Sequence, residues 1–274
     1  MTVLVLSDSD VRALLPMDEC IEAMDDVLRS LARGELHQPL RHLTSPPNAD
    51  SLMGFMPAHR GGENSVWSLK EIVVVPGNPR RGLDAHQGAV LLHDGETGEL
   101  CALLNASPIT EIRTAAVSAV ATRALARPDA RVVAILGAGV QARAHVEAMR
   151  AVLDGAEIRT WSRSDGGTPE AALRGADVVC TCTSAREPIL RRDWLATGTH
   201  VNAVGSSVPT TRELDTETMV AASLFVDRRE STLNESGDLL LAGLGEEHIR
   251  AELGEVLTGV HPGRADGAEL TVFK

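Results

Sequence analysis

Tyrosine is absent from the 274 residues, and aromatic residues make up only 2%. A chain so poor in rings offers no stacking platform for bases, which counts against single-stranded nucleic acid as a ligand. Cysteine is sparse, at four residues. Cys20, Cys101, Cys180 and Cys182 form no C-x-x-C pair and are too few for a disulfide framework. Reduced thiols in the cytoplasm are the expectation. The opening MTVLVLSDSD lacks the basic stretch and long apolar core of a secretory signal. No apolar run approaches the roughly 18 residues of a membrane span. His59, His86 and His93 show no metal-ligand spacing, so no metal is expected. Basic residues are the minority charge, 26 against 38 acidic, for a net −12. That balance gives no global attraction for nucleic acid or anionic membrane, and leaves room only for local basic pockets.

Hydrophobic residues, at 43%, suffice for a sizeable core. The length suits one large domain or two ordinary ones. Early in the chain, Met17, Ile21, Met24, Val27, Leu28 and Leu31 recur at helical spacing, with Gly34 as a stop. SLMGFMPA and VWSLKEIVVVP read as strands, and AVLLHDGETGELCALL reads as a hairpin. The first part is therefore a helix followed by an antiparallel sheet. The pattern changes near Thr110, where TEIRTAAVSAVATRALAR predicts an Ala-rich helix. From about 130 to 227, strands alternate with helices, which predicts an α/β doubly wound parallel sheet. TPEAALRG predicts a short helix capped by Thr168. The stretch from Leu233 to Gly259 reads as helical.

The sharpest motif is RVVAILGAGVQARAHVEAM. Gly137 and Gly139 lie between a strand and a helix, and Ala142 takes the place of the usual third glycine. The first glycine permits a tight turn. The second lets backbone approach a pyrophosphate at the helix N-terminus. The reader of the adenosine ribose belongs at the end of the next strand. There the chain has Trp161-Ser162-Arg163-Ser164, and a hydroxyl with a guanidinium suits a 2′-phosphate. NADP(H) is favoured, with NAD(H) the alternative.

Three cations stand out. Arg41 follows Pro39-Leu40, Lys70 interrupts the apolar run from Trp67 to Val75, and Arg113 is read in the first turn of the Ala-rich helix. An Arg there opposes the helix dipole, and an anionic partner would relieve it. Together these three suit a carboxylate, although each alone is more often a surface residue whose stem snorkels.

PLRHL, GFMPA, LKEIVVVPGNPRRGLDAHQG, HDGETGELCALL, TEIRTAAVSAVATRALARPDA, LGAGVQARAHVEA, VNAVGSSVPTTREL and ELTVFK together resemble the ornithine cyclodeaminase/mu-crystallin family over nearly the whole chain. The resemblance implies a Rossmann-type dinucleotide-binding domain, 113–258. It also implies an antiparallel β-rich substrate and dimerisation domain from both chain ends, 1–112 with 259–274, and hence a homodimer. It assigns Arg41 to the substrate carboxylate, Met56 and Lys70 to substrate contact, and Arg113 to both substrate and cofactor with Thr114 beside it. Gly137, Ala138, Gly139, Val140 and Gln141 match the pyrophosphate turn. Val204, Gly205 and Ser206 match the loop near the nicotinamide.

There are departures. The cyclodeaminases carry an essential Asp where this chain has Ser207, and Ser cannot act as a carboxylate base. Only Asp165-Gly166-Gly167 separates RTWSRS from TPEAALRG, where the family has another helix and strand. The family also continues past the position of Lys274 into a helix. With Ser207, the resemblance implies NAD(P)H-dependent reduction of a C=N bond next to a carboxylate. The substrate would be a cyclic ketimine such as pyrroline- or piperideine-2-carboxylate, or a 2-oxo acid plus ammonia. The alternatives are ornithine cyclodeamination and a non-catalytic, crystallin-like binding protein.

Overall fold

The computed structural model describes residues 2–274. In chain order it opens with β1 (Leu4–Leu6), α1 (Asp8–Leu14), α2 (Met17–Ala32), β2 (Leu36–His37) and β3 (His42–Thr44). The long strands β4 (Leu52–Arg60), β5 (Val66–Val74), β6 (His86–Asp94) and β7 (Leu100–Asn105) follow. Next come α3 (Ala106–Leu125), β8 (Val132–Leu136), α4 (Val140–Val152), β9 (Glu157–Trp161), α5 (Glu170–Leu173), β10 (Val178–Thr181) and β11 (His200–Ala203). The remainder is α6 (Thr216–Ala221), β12 (Ser223–Val226), α7 (Arg229–Glu235), α8 (Gly237–Leu240), β13 (Ile249–Glu252), α9 (Leu253–Leu257) and β14 (Thr271–Phe273).

The chain divides into two units. The first holds residues 1–16 and 33–112, the second 17–32 and 113–274. The first unit is a sheet in the order β1-β7-β6-β5-β4-β2, with β3 also on β4. Its pairings are antiparallel except β1 with β7. The β6–β7 hairpin turns on Asp94, whose Oδ1 accepts from the amides of Glu96 and Thr97 at 3.1 and 2.7 Å.

The second unit is a parallel sheet in the order β13-β12-β14-β11-β10-β8-β9. β8, β10 and β12 are apolar runs, as strands covered on both faces must be. In α3, Ala115, Ala116, Ala119, Val120 and Ala121 have no exposure, so small side chains leave this helix buried almost all round.

Five sequence expectations need correction. Residues 259–274 do not join the first unit, because β14 pairs with β11 on one side and β12 on the other, inside the parallel sheet. α2 likewise belongs to the second unit: Arg29 donates to the Leu257 carbonyl of α9, and Glu22 and Asp25 pair with Arg123 of α3. The Ala-rich helix begins at Ala106 rather than Thr110. Asn105 Oδ1 accepts the Ser107 amide at 2.9 Å, and Pro108 fits a first turn, whose amides need no helical acceptor. The acidic segment after Leu233 is not all helix, since Ile249–Glu252 forms the edge strand β13. At the shorter α5, Pro169 rather than Thr168 stands at the cap.

Two histidines lie inside the second unit. His145 Nδ1 is 2.7 Å from the Gln141 carbonyl, and Nε2 is 2.9 Å from Ser118 Oγ. A carbonyl only accepts, so Nδ1 carries the hydrogen and Nε2 accepts from Ser118. Burial pushes the His145 pKa down to about 4 and that of His200 to about 3. Both values lie below that of an unfolded histidine, so the unfolded chain protonates first as pH falls. The stabilisation is complete above about pH 6.5 and is lost on acidification, at roughly 1.4 kcal/mol per pH unit per histidine. Urea midpoints measured from pH 7 to pH 5 should therefore fall steeply, and His145→Asn should flatten the slope. A pH-independent midpoint contradicts the assignment.

Candidate active site

β8 delivers the glycine turn. Gly137 has φ +140°, and a Cβ there would lie 2.5 Å from the Cys182 carbonyl, so only glycine fits. Its amide donates to the Trp161 carbonyl at 2.7 Å, which ties the turn to the end of β9. Gly139 stands at the N-cap of the 13-residue α4, and a Cβ built on it meets nothing within 4 Å. Ala138 and Gly139 are exposed, Val140 and Gln141 half-buried, and Ala142 is buried against the turn. Open space above a glycine, helix amides and the helix dipole together fit a dinucleotide pyrophosphate.

At the end of β9, Arg163–Asp165 form a single tight turn. Asp165 Oδ2 accepts from the Ser162 amide at 2.7 Å and from Ser162 Oγ at 3.0 Å. The Ser162 hydroxyl is therefore already engaged by an acid that sequence reasoning passed over. Arg163 is exposed and forms no ion pair among the described residues.

The loop after β11 has a buried frame. Glu213, fully buried, receives Thr181 Oγ1 at 2.7 Å, the Thr183 amide at 2.7 Å, Thr183 Oγ1 at 2.6 Å and the Gly205 amide at 2.6 Å. Burial pushes its carboxyl up, and the threonine hydroxyls oppose that shift. A Cβ on Gly205 would sit 2.0 Å from the Thr183 carbonyl, so the loop can pass only as glycine. Asp238 Oδ1 accepts from the amides of Glu213 and Leu214 at 2.7 and 3.0 Å. Its Oδ2 pairs with Lys274 Nζ at 3.2 Å, and that ammonium also donates to the Ala203 carbonyl at 3.1 Å.

Val204 and Gly205 are half-buried, and Val204 is tied by its amide to the Thr181 carbonyl. Ser206, matched to the same loop, has its side chain turned inward. Its hydroxyl is buried, donates to the Thr211 carbonyl at 2.6 Å and accepts the Asp238 amide at 3.1 Å. Ser207, next to it, is exposed. Glu213, Asp238 and Lys274 were missed because each signals only through distant partners. The single hint was the TTREL segment itself.

In the first unit, register brings two predicted residues together. Met56 pairs with Lys70 across β4 and β5. Arg41 stands just before β3, whose first residue, His42, pairs with Phe55 of β4, and the strand register does not itself place Arg41. His86 shares the Lys70 face, four residues along by alternation. Local desolvation, and then the Lys70 charge, push its pKa below the ordinary value, although much of the residue stays exposed.

Arg113 and Thr114 lie on α3 in the second unit. Because the helix starts at Ala106, Arg113 is its eighth residue and not in the first turn, so the dipole argument does not apply. Its charge acts instead on Asp227, just past β12, as does that of Lys274.

The family model "Ornithine cyclodeaminase/mu-crystallin family" matches residues 1–174 and 166–274. The two matched pieces meet at the abbreviated passage from β9 to α5. Ketimine reductase mu-crystallin of Mus musculus is 40% identical over 257 residues, covering 88% of this chain and 80% of the relative. The Thermococcus litoralis Delta(1)-pyrroline-2-carboxylate reductase, solved with NADH and L-proline, superposes with a TM-score of 0.91 at 33% identity, covering 99% of this chain and 91% of that one. An archaeal alanine dehydrogenase dimer with bound NAD gives a TM-score of 0.92 at 31% identity, covering 100% and 90%.

The buried frame makes a measurable demand. Glu213→Ala leaves the amides of Thr183 and Gly205 without their acceptor, and should destabilise the protein by about 3 kcal/mol. Chemical denaturation reads the loss directly. A change below about 1 kcal/mol would mean that Glu213 is not the tie between these loops.

Proposed function

The chain belongs to the ornithine cyclodeaminase/mu-crystallin family, and from that premise we propose that it is a nicotinamide-dependent reductase of C=N bonds adjacent to a carboxylate. The substrate class is a small cyclic ketimine such as pyrroline- or piperideine-2-carboxylate, or the imine of a 2-oxo acid with ammonia. The carrying observation is the pairing of Met56 with Lys70 across β4 and β5, with Arg41 just before β3, the strand on the other side of β4. Two cations there suit a carboxylate, with the Arg as a planar fork and the Lys as a compact point charge. Met56 beside Lys70 supplies an apolar, adaptable contact for a ring. Arg113 is the third cation that the family resemblance assigns to this substrate.

A bound reduced nicotinamide supplies the two electrons and the hydrogen that the imine carbon gains. The chain's own task is to bind and orient. Gly137, Ala138, Gly139, Val140 and Gln141 hold the pyrophosphate, and Val204 and Gly205 supply backbone near the nicotinamide. Arg41 and Lys70 fix the carboxylate, which sets the direction in which the imine carbon faces. The imine nitrogen arrives protonated near its reactive pH, so no strong acid is needed. Desolvation and then the Lys70 charge lower the His86 pKa, which disfavours a further positive charge on that face. Ser207 provides no carboxylate base, which supports reduction over ammonia-releasing cyclisation. Arg163 supports NADPH as the partner, and the neighbouring Asp165 supports NADH. Solved relatives in complex with NADH and NAD support the dinucleotide itself. A homodimer in the reducing cytoplasm completes the reading, supported by the dimeric alanine dehydrogenase relative.

The test is a turnover screen of cyclic ketimines and 2-oxo acids with ammonia, using both reduced dinucleotides. Net oxidation of the dinucleotide with at least one such substrate is expected. Lys70→Ala should lower kcat/KM by about a hundredfold or more, since a charge contact shielded from water contributes several kcal/mol. Lys70→Arg should fail to restore it, because a fork does not replace a compact ammonium. Ser207→Ala should cost tenfold at most, and Ser207→Asp should harm reduction by repelling the anion. Ammonia release from ornithine by the unaltered protein, without net cofactor change, overturns the proposal. Sedimentation at micromolar protein should give a dimer.

A further inference from the structure

We propose that Asp165 makes the dinucleotide site selective for NADH over NADPH, acting as the acceptor for the ribose 2′-hydroxyl. This rests on the cofactor reading above and goes beyond it, since it names the residue that discriminates and reverses the preference suggested by Ser162 and Arg163.

The position follows from backbone geometry. The amide of Gly137, first residue of the pyrophosphate turn, is 2.7 Å from the carbonyl of Trp161, last residue of β9. The segment after Trp161 therefore lies directly beside the turn, where dinucleotide folds read the adenosine ribose. In this chain that segment is short and held in place. The Asp165 amide returns to the Ser162 carbonyl at 3.0 Å, and Trp161 Nε1 donates to the Gly166 carbonyl at 3.2 Å. Gly166 and Gly167, with φ of +74° and +64°, then turn the chain straight toward α5. The added helix and strand that the family carries here are missing, so β9 is the edge of the parallel sheet. Discrimination at the ribose is left to the four residues Ser162 to Asp165.

Their chemistry is set by two hydrogen bonds. Asp165 Oδ2 takes both the amide and the hydroxyl of Ser162, at 2.7 and 3.0 Å, which locks the carboxylate in one orientation. Ser164 Oγ lies 2.6 Å from Ser162 Oγ, completing a small polar knot. The Ser162 hydroxyl has a single hydrogen, already given to a carboxylate, so it does not donate to a phosphate. A 2′-phosphate brought to Ser162 would meet a fixed anion within a few ångströms. A 2′-hydroxyl is a donor and suits Oδ1, which takes part in none of these bonds. Arg163 is the opposing influence. It is exposed, held by no ion pair among the described residues, and must give up side-chain freedom to grip a phosphate, whereas Asp165 is already ordered.

The experiment measures NADH and NADPH binding to the unaltered protein by nicotinamide fluorescence, without substrate, at 20 and 300 mM salt. NADH should bind at least tenfold more tightly at low salt. Salt screens repulsion between exposed charges, so the gap should narrow at 300 mM. If Arg163 dominates instead, NADPH binds more tightly and its affinity falls with salt, which overturns the inference without any variant being made. Asp165→Asn keeps the shape and one acceptor, and should strengthen NADPH about tenfold while weakening NADH a few-fold. An unchanged ratio in that variant also overturns the inference. Imine reduction with a preference for NADPH would leave the proposed function standing and remove this inference. NADH-selective binding without imine turnover would do the reverse. Binding of neither dinucleotide would remove both.

Discussion

Glu213 holds the candidate site in shape more than any residue that would touch a ligand. Three loops leave the ends of β8, β10 and β11, neighbours in the parallel sheet. The first two pass so close that a Cβ on Gly137 would lie 2.5 Å from the Cys182 carbonyl. The second and third are joined by the Val204 amide on the Thr181 carbonyl and by the Glu213 carboxylate, which takes donors from Thr181, Thr183 and Gly205. Since β8 has β9 on one side and β10 on the other, this rim is where the chain's winding reverses direction, the place where open α/β sheets bind ligands. A buried acid with all its acceptors filled is a rigid device, because any displacement leaves amides without partners in a low dielectric. Asp238 extends the arrangement to Lys274, so the end of β14 braces the same rim.

The electrostatics work at short range. At net −12 the chain as a whole repels a carboxylate. At physiological salt the screening length is about 8 Å, so distant acids matter little and the cations next to the ligand decide. Lys70 on β5, with Arg41 just before β3 on the other side of β4, is the proposed source of such a local reversal of sign. The lowered His86 pKa has a cause in the same charge.

The βα alternation, the glycine turn and the antiparallel first unit were legible because each is written in neighbouring residues. Periodicity, turn residues and motif spacing are local signals, and all three survive in the folded chain. Arg41, Met56 and Lys70 could be named from resemblance, but the pairing of Met56 with Lys70 is a matter of strand register, which depends on pairing between separate segments. β13 escaped because four residues of Ile-Arg-Ala-Glu carry too little pattern to separate strand from helix. Asp165 was passed over for a different reason. The ribose reader was sought within Trp161 to Ser164, and only the fold back from Asp165 to Ser162 brings the acid to that place. Ser206 was matched to the nicotinamide loop without a side-chain direction, because nothing in VGSS distinguishes an inward hydroxyl from an outward one.

The place of β14 has a consequence for how the protein comes to exist. This strand is nearly the latest in sequence, yet it separates β11 from β12 in the middle of the parallel sheet. Until residue 273 has left the ribosome, β12 and β13 have no edge to join, and β11 presents an open row of amides and carbonyls. During synthesis the second unit is thus two partial sheets waiting on three residues, a period in which exposed edges are open to mispairing with other chains. The native sheet closes in one late step, and any chaperone that protects this protein has its work to do before that step.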